Sequence, residues 1–80
     1  MNYIGKEVQE ILHRPTPVRG FAFKVTESPD GVFLLISLEE LAKYSQPQQE
    51  SISEWVAGVC NDIRKLHVPC YIQEWKRDGE

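Results

Sequence analysis

The sequence predicts a small α+β domain in which helices pack on a three-stranded, mainly antiparallel sheet, in the order α-β-β-α-α-β. The first observation behind this prediction is a run of apolar residues at helical spacing within residues 45–66. These residues are Ile52, Trp55, Val56, Val59, Ile63 and Leu66. The second is a Ser-Pro-Asp-Gly turn signal between two segments of strand character. We expect one domain over residues 1–75 and a disordered tail over residues 76–80.

The N-terminal segment is predicted to form a short helix, because four apolar residues recur there at helical spacing. These are Ile4, Val8, Ile11 and Leu12, and Asn2 is a candidate cap. Pro15 ends the helix, since proline lacks the N–H that a helix interior requires. Residues 15–17 then form a stiff connector to the sheet.

Two predicted strands surround the turn at residues 28–31 and together form an antiparallel hairpin. Residues 18–26 are predicted to be the first strand, with Phe21, Phe23 and Val25 on its apolar side. Residues 32–36, with the sequence VFLLI, form the second strand and are apolar on both faces. Such a strand is either central in the sheet or covered on its outer side.

Two helices and a last strand follow. Ser37 with Glu40, and Ser45 with Gln48, have the spacing of reciprocal capping boxes, so helices are predicted over residues 38–44 and 45–66. Residues 68–75 are predicted to be the third strand, and Pro69 near its start favours an edge position.

Strand order follows less directly from the sequence. A right-handed crossover from the second strand through the long helix sets the third strand parallel to the second. We expect the first strand in the middle of the sheet, in the order 2-1-3. The alternative places the third strand beside the second, and the apolar character of VFLLI on both faces favours it.

The composition predicts an ordinary soluble protein. Nine Lys and Arg residues against twelve Asp and Glu residues give a net charge of −3, which lacks the basic footprint of a protein bound mainly to nucleic-acid phosphate. No apolar run reaches the length of about 18 residues that crosses a bilayer, and the N-terminus does not resemble a signal peptide. We therefore expect a cytoplasmic protein in which Cys60 and Cys70 are reduced thiols.

One segment resembles a known nucleic-acid motif. Residues 19–25, with the sequence RGFAFKV, resemble the aromatic octapeptide of the RNA-recognition-motif family. The resemblance implies a single-stranded nucleic-acid binder in which Phe21 and Phe23 stack on bases beside Arg19 and Lys24. The alternate residues of this segment are too small or polar to build a core, so the pattern favours Phe21 and Phe23 as core residues instead.

A thiol- or metal-dependent site is a further alternative. Cys60, His67 and Cys70, with His13 elsewhere, are ligand types that suit zinc. Their spacing matches no common metal signature, and a cysteine nucleophile would also need a cleft and an orienting group. Paired carboxylates lie where helix capping and solvation explain them. The sequence therefore predicts no cofactor, no metal and no enzymatic activity.

The residues that alternate with the core positions of the last two strands are the preferred candidate site. Phe33, Leu35, Tyr71, Gln73 and Trp75 are expected to share the outer face of the sheet. An exposed aromatic patch of this kind usually marks a binding surface. The alternative is that the first helix folds back across this face. We hypothesise a non-catalytic module, such as a regulatory adaptor or inhibitor, that binds another protein or itself through this face and the edge of the last strand.

Overall fold

A computed structural model of the chain describes residues 3–75. Three helices and a three-stranded sheet follow one another in the predicted order α-β-β-α-α-β, which confirms the α+β fold class. The helices are α1 (Lys6–Leu12), α2 (Leu38–Leu41) and α3 (Gln46–Lys65), and the strands are β1 (Lys24–Ser28), β2 (Gly31–Ile36) and β3 (Cys70–Glu74). Asn2 and the predicted tail at residues 76–80 lie outside the described residues.

The core lies between α3 and one face of the sheet, which we call the inner face. The stripe of α3 predicted from the sequence supplies Ile52, Val56, Val59 and Ile63, all at most 1% exposed. The inner face contributes fully buried side chains from the two strands nearest the helix. These are Val32, Leu34 and Cys70. The burial of β-branched and leucine side chains against one helical stripe is the main source of stability in a domain this small.

The sheet has the order β1-β2-β3, with β1 antiparallel and β3 parallel to β2. The parallel crossover is confirmed, but the expected order 2-1-3 is wrong and the alternative is correct. The sheet is thus mixed, with one antiparallel and one parallel pair. β2, which is apolar on both faces, is the central strand. β1, which carries the exposed residues Lys24 and Glu27, forms one edge of the sheet.

The first strand is shorter than predicted. β1 begins at Lys24, so residues 18–23 precede the strand, and Gly20 takes a φ of 86° in the turn that leads to it. Phe21 and Phe23 nonetheless point to the helix side. Phe21 is 5% exposed and Phe23 packs edge-to-face on Trp55 with ring centroids 5.5 Å apart. Phe21 is therefore a core residue, and Phe23 is partly buried against the same core, on the side that the alternation predicted.

The predicted capping box is complete at the start of α3 but only half formed at the start of α2. The Ser45 hydroxyl accepts from the Gln48 N–H, and the Gln48 side chain accepts from the Ser45 N–H, so α3 starts with a complete box. The Ser37 hydroxyl accepts from the Glu40 N–H at the start of α2. These bonds satisfy N–H groups that have no partner within the first turn of a helix.

The first helix packs on α3 and leaves the outer face of the sheet uncovered. Val8 of α1 is 3% exposed and belongs to the same core cluster as the buried stripe of α3. An ion pair from Arg14 Nη1 to Asp62 Oδ2, at 2.5 Å, fastens the segment after α1 to α3. The alternative in which the first helix covers the outer face is therefore wrong. Among the described residues, no helix has the length and apolar character needed to cross a bilayer.

Candidate binding surface

The five residues proposed from the sequence lie on the face of the sheet opposite α3. Register pairs place Phe33 beside Tyr71 and Leu35 beside Gln73. Trp75 follows one step beyond β3, and its N–H donates to the Ile36 carbonyl at 2.8 Å. Strand alternation therefore brings all five side chains to one surface, which we call the outer face.

Two ring contacts organise the outer face. The rings of Phe33 and Tyr71 pack at a tilt with centroids 5.3 Å apart. Lys24 Nζ lies 3.9 Å from the centroid of the Trp75 ring, in cation–π geometry. On this face Phe33, Leu35 and Trp75 are half-buried, while Tyr71 is 43% exposed and Gln73 is exposed.

The outer face continues into a groove at the end of the sheet. The groove has a volume of about 460 Å³ and runs between Trp75, residues 20–24 and the helix α2. Its α2 wall carries Leu38, which is 52% exposed, and an ion pair from Lys43 Nζ to Glu40 Oε2 at 3.4 Å. The groove thus mixes apolar surface with charges of both signs, and no single ligand charge is selected by it.

The backbone of β3 presents an open strand edge. Val32 N–H donates to the Pro69 carbonyl at 2.9 Å, and Trp75 N–H donates to the Ile36 carbonyl at 2.8 Å. The Pro69 C=O and the Trp75 N–H therefore face β2. Backbone groups of successive strand residues alternate in direction, so those of Cys70, Ile72 and Glu74 face away from β2. No further strand lies beside them among the described residues.

Exposed apolar side chains flank this edge on both faces. Tyr71 points to the outer face, while Ile72, opposite Leu34 in register, points to the inner face and is 47% exposed. Sequence reasoning missed Ile72, because it assumed that α3 covers the whole inner face. Leu34 is completely buried, whereas its register partner Ile72 is 47% exposed, so α3 covers β3 at Cys70 but not at Ile72.

Arg64 of α3 reaches over the beginning of the edge. Its Nε donates to the Cys70 carbonyl at 2.8 Å, and its guanidinium carbon lies 5.7 Å from the centroid of the Tyr71 ring. The same carbonyl accepts from Cys60 Sγ at 3.4 Å. One end of the edge is therefore capped by side chains, while the backbone groups of Ile72 are left for a partner.

The four residues of the nucleic-acid alternative do not form one surface. Phe21 and Phe23 pack on the helix side, whereas Lys24 lies on the outer face over Trp75. Arg19 is exposed in the turn before β1. Base stacking needs aromatic rings that are open to solvent. The burial of Phe21 removes one of the two rings on which the resemblance depends.

The thiols lie together in the core. Cys60 and Cys70 are free and are 4% and 1% exposed, whereas His67 is exposed at the end of α3 with a φ of 63°. Burial, aided by the neighbouring Cys60 thiol, raises the pKa of Cys70 to about 12. A nucleophilic or metal-binding cysteine needs a lowered pKa. Over residues 3–75, no group of three or more His, Cys, Asp or Glu side chains is placed to hold a metal ion.

Comparison with known proteins supplies no relative. Neither a protein-family model, nor a curated protein, nor a solved structure matches the chain. The functional argument therefore rests on the surface described above.

Proposed function

We propose that this protein is a non-catalytic binding module that recognises another polypeptide chain by extending its sheet at β3. An extended segment of the partner adds as a fourth strand beside β3, and its side chains contact the outer face. In this mode of binding, main-chain bonds supply affinity and alternate side chains supply specificity, which suits a regulatory adaptor or a small inhibitor.

The observation that carries this proposal is the open edge at Ile72. Its backbone N–H and C=O face away from β2, between two apolar side chains that are both more than two-fifths exposed. Proteins usually protect such edges with charged side chains, proline or a bulge. In this chain Pro69 lies before the strand, so it does not block pairing at Ile72.

The outer face supports the same function. Phe33 and Tyr71 form an aromatic pair next to the edge, and Trp75 lies farther along the same surface. Aromatic side chains are enriched among the residues that dominate the energy of protein interfaces. A partner strand beside β3 would bring its own side chains against Tyr71 and Gln73.

A peptide partner fits this surface better than a nucleic acid does. The outward-facing backbone groups of Ile72 are one donor and one acceptor, a pattern that another polypeptide strand matches. The chain has a net charge of −3, which opposes phosphate binding. The cytoplasmic location predicted from the sequence remains part of this proposal, and the two free thiols are typical of reducing compartments.

Selection of a random peptide library displayed on phage against the immobilised protein tests the proposal. The variant Ile72→Pro removes the outward N–H and leaves every bond between β2 and β3 in place, because those bonds come from the odd-numbered residues of β3. Ile72→Val is the matched control, since it keeps the N–H and the β-branched shape. We expect selected peptides to bind the wild type and Ile72→Val, and to lose binding to Ile72→Pro.

A second variant tests the outer face. Tyr71→Ser removes the exposed ring and keeps the backbone edge, so we expect weaker binding of the same peptides without a change in circular dichroism. Peptides that bind a folded Ile72→Pro variant as tightly as the wild type would contradict strand addition. Failure to enrich any peptide that depends on Ile72 or Tyr71 would contradict the proposed function as a whole.

A further inference from the structure

We infer that the segment that pairs with β3 is the C-terminal end of another polypeptide, antiparallel to β3, with its terminal carboxylate bound by Arg64. This inference rests on the proposed function and names the chemical class of the partner. The last two residues of the partner lie opposite Ile72 and Tyr71, and the partner chain stops beside Cys70. The edge thus recognises the end of a chain as well as its extended conformation.

The first argument is that the pairing edge is closed at Cys70. The backbone groups of this residue face away from β2, so a continuing antiparallel strand would donate an N–H to the Cys70 carbonyl. That carbonyl already accepts from Arg64 Nε at 2.8 Å and from Cys60 Sγ at 3.4 Å. These two donors use both lone pairs of the oxygen. A partner chain that ends before this point therefore loses no hydrogen bond, whereas a longer one would have to displace Arg64.

The second argument is the charge of Arg64. Its side chain is exposed, and no carboxylate among residues 3–75 forms an ion pair with it. The Nε is used by the Cys70 carbonyl, which leaves the N–H groups of the terminal nitrogens as donors. In an antiparallel partner that ends opposite Tyr71, the carboxylate lies beside the Cys70 carbonyl. It therefore meets a guanidinium that can bind it through charge-assisted hydrogen bonds.

The third argument is the difference in charge between the two ends of β3. Arg64 lines two neighbouring shallow hollows of about 400 Å³ and 320 Å³, which also include His67 and Asn61, and neither hollow is lined by an aspartate or glutamate. The groove at the Trp75 end, by contrast, mixes glutamates with lysines. Of these two ends, the Cys70 end offers a cation without a competing carboxylate. The C-terminus of the partner therefore lies there, which makes its strand antiparallel to β3.

The register also sets which side chains the partner carries. Its penultimate residue lies opposite Ile72 on the inner face, where the 320 Å³ hollow is lined by Ala57 and by the half-exposed Ile72 itself. Its last residue lies opposite Tyr71 on the outer face, next to the ring pair that Tyr71 forms with Phe33. We therefore expect apolar side chains at the last two positions, followed by the free carboxylate.

Selection from two matched peptide libraries tests the inference. In one library, random peptides end the display protein with a free carboxylate, and in the other the same peptides are followed by a long glycine-serine segment. We expect binders from the first library, with an apolar penultimate residue enriched among them. Each selected sequence is then synthesised as the free acid and as the C-terminal amide. The amide should bind at least about tenfold more weakly, because it lacks the charge that Arg64 binds.

Variants of two adjacent cationic residues locate the carboxylate. Arg64 is exposed, so Arg64→Gln should keep the circular dichroism of the wild type, and it should bind the acid and amide forms equally. Lys65→Gln is the matched control, because it removes the same charge from the same end of α3, where Lys65 pairs with Asp62. This control should retain the tenfold preference for the acid. Isothermal titration calorimetry measures each affinity.

A nitroxide label on the first residue of a selected peptide gives the direction of the added strand. In the antiparallel complex this label lies towards Trp75, so amide resonances there should broaden, while the His67 amide should keep its intensity. Broadening at His67 instead would show a parallel strand and would overturn the inference.

Three further results would overturn it. Peptides that depend on Ile72 but bind equally as acid and amide would show strand addition without recognition of the chain end, and would leave the proposed function standing. A preference for the acid that persists in a folded Arg64→Gln variant would place the carboxylate elsewhere. Enrichment from the internal library alone, or self-association through Ile72 in place of peptide binding, would identify a different occupant. Failure of both libraries to enrich a peptide that depends on Ile72 or Tyr71 would contradict the proposed function itself, and this inference with it.

Discussion

The carbonyl oxygen of Pro69 lies against Gly31, so closely that a Cβ atom on Gly31 would stand 2.6 Å from it. The same oxygen accepts a hydrogen bond from Val32 at 2.9 Å. Gly31 also has a φ of 140°, a backbone conformation that residues with a side chain rarely adopt. The end of the hairpin turn and the start of β3 therefore fit together only when residue 31 is glycine.

Substitution of this glycine is expected to be costly. Gly31→Ala should lower the free energy of unfolding by at least about 2 kcal/mol, because the methyl group strains the backbone and displaces Pro69. Gly58→Ala is the control, since nothing lies within 4 Å of its Cβ position and alanine favours a helix interior. It should raise stability by roughly 0.5–1 kcal/mol. Urea unfolding measures both, and equal effects would contradict the close contact.

The start of α3 gives a second prediction. Ser45→Ala should lower the free energy of unfolding by about 1 kcal/mol, because it removes the hydroxyl that accepts from Gln48. Ser51→Ala changes an exposed serine inside the same helix and should stay within about 0.5 kcal/mol of the wild type. The same urea titration compares them. A Ser45→Ala variant as stable as Ser51→Ala would show that the capping box contributes nothing.

The buried thiols should be inert in the folded protein. Burial raises the pKa of Cys70 to about 12, so this thiol stays protonated at mildly alkaline pH, and the Cys60 side chain is only 4% exposed to reagents. We expect iodoacetamide to modify neither residue in the native chain and both in urea. Ser53→Cys, which adds a thiol at an exposed helical position, should react at once. Prompt modification of native Cys70 would support the thiol alternative.

The ion pair between Arg14 and Asp62 should make stability depend on acid pH. The hydrogen bond from Arg14 lowers the pKa of Asp62 below its ordinary value of 3.8, with a further contribution from the charge of Lys65. A lowered pKa means that the contribution is full above the ordinary value and is lost as pH falls through the lower, folded-state value. Asp62→Asn should remove this part of the acid dependence.

Thermal unfolding of Asp62→Asn between neutral and strongly acid pH measures this effect. The variant should be less stable than the wild type at neutral pH, and the difference should disappear in strong acid. Asp30→Asn, in the exposed hairpin turn, is the control and should follow the wild-type profile. A constant difference between Asp62→Asn and the wild type at all pH values would contradict a role for ionisation.

Single-stranded nucleic acid should not bind. Phe21 is 5% exposed and Phe23 packs on Trp55, so base stacking at these positions would require the core to open. We expect oligothymidine at low salt to leave the tryptophan fluorescence unchanged. Salt-sensitive quenching that Lys24→Ala reduces would instead support a nucleic-acid function at the outer face.

Most of the fold could be predicted because its signals are local. The stripe of α3, its Ser45 cap and the turn before Gly31 each depend on residues close together in the chain. Strand order was not predictable in the same way, because both orders satisfy the handedness of the crossover. The observed order depends on the pairing of β2 with β3, which joins residues far apart in sequence.

The candidate surface, like the fold, could be predicted from the sequence only in part. Strand alternation was sufficient to place Phe33, Tyr71 and Trp75 on the outer face. The exposure of Ile72 depends instead on where α3 lies across the sheet, and helical periodicity does not contain that information. A sequence can identify the buried side of an element, but the covered length of that side follows from packing.

The central position of β2 also bears on how the chain folds. β1 and β2 meet through a tight turn, whereas β3 joins β2 only after the chain has passed through α2 and α3. Closing a long segment before it gains contacts is slow. We expect the hairpin and α3 to assemble first, with β3 docking as the late step and detaching early during unfolding.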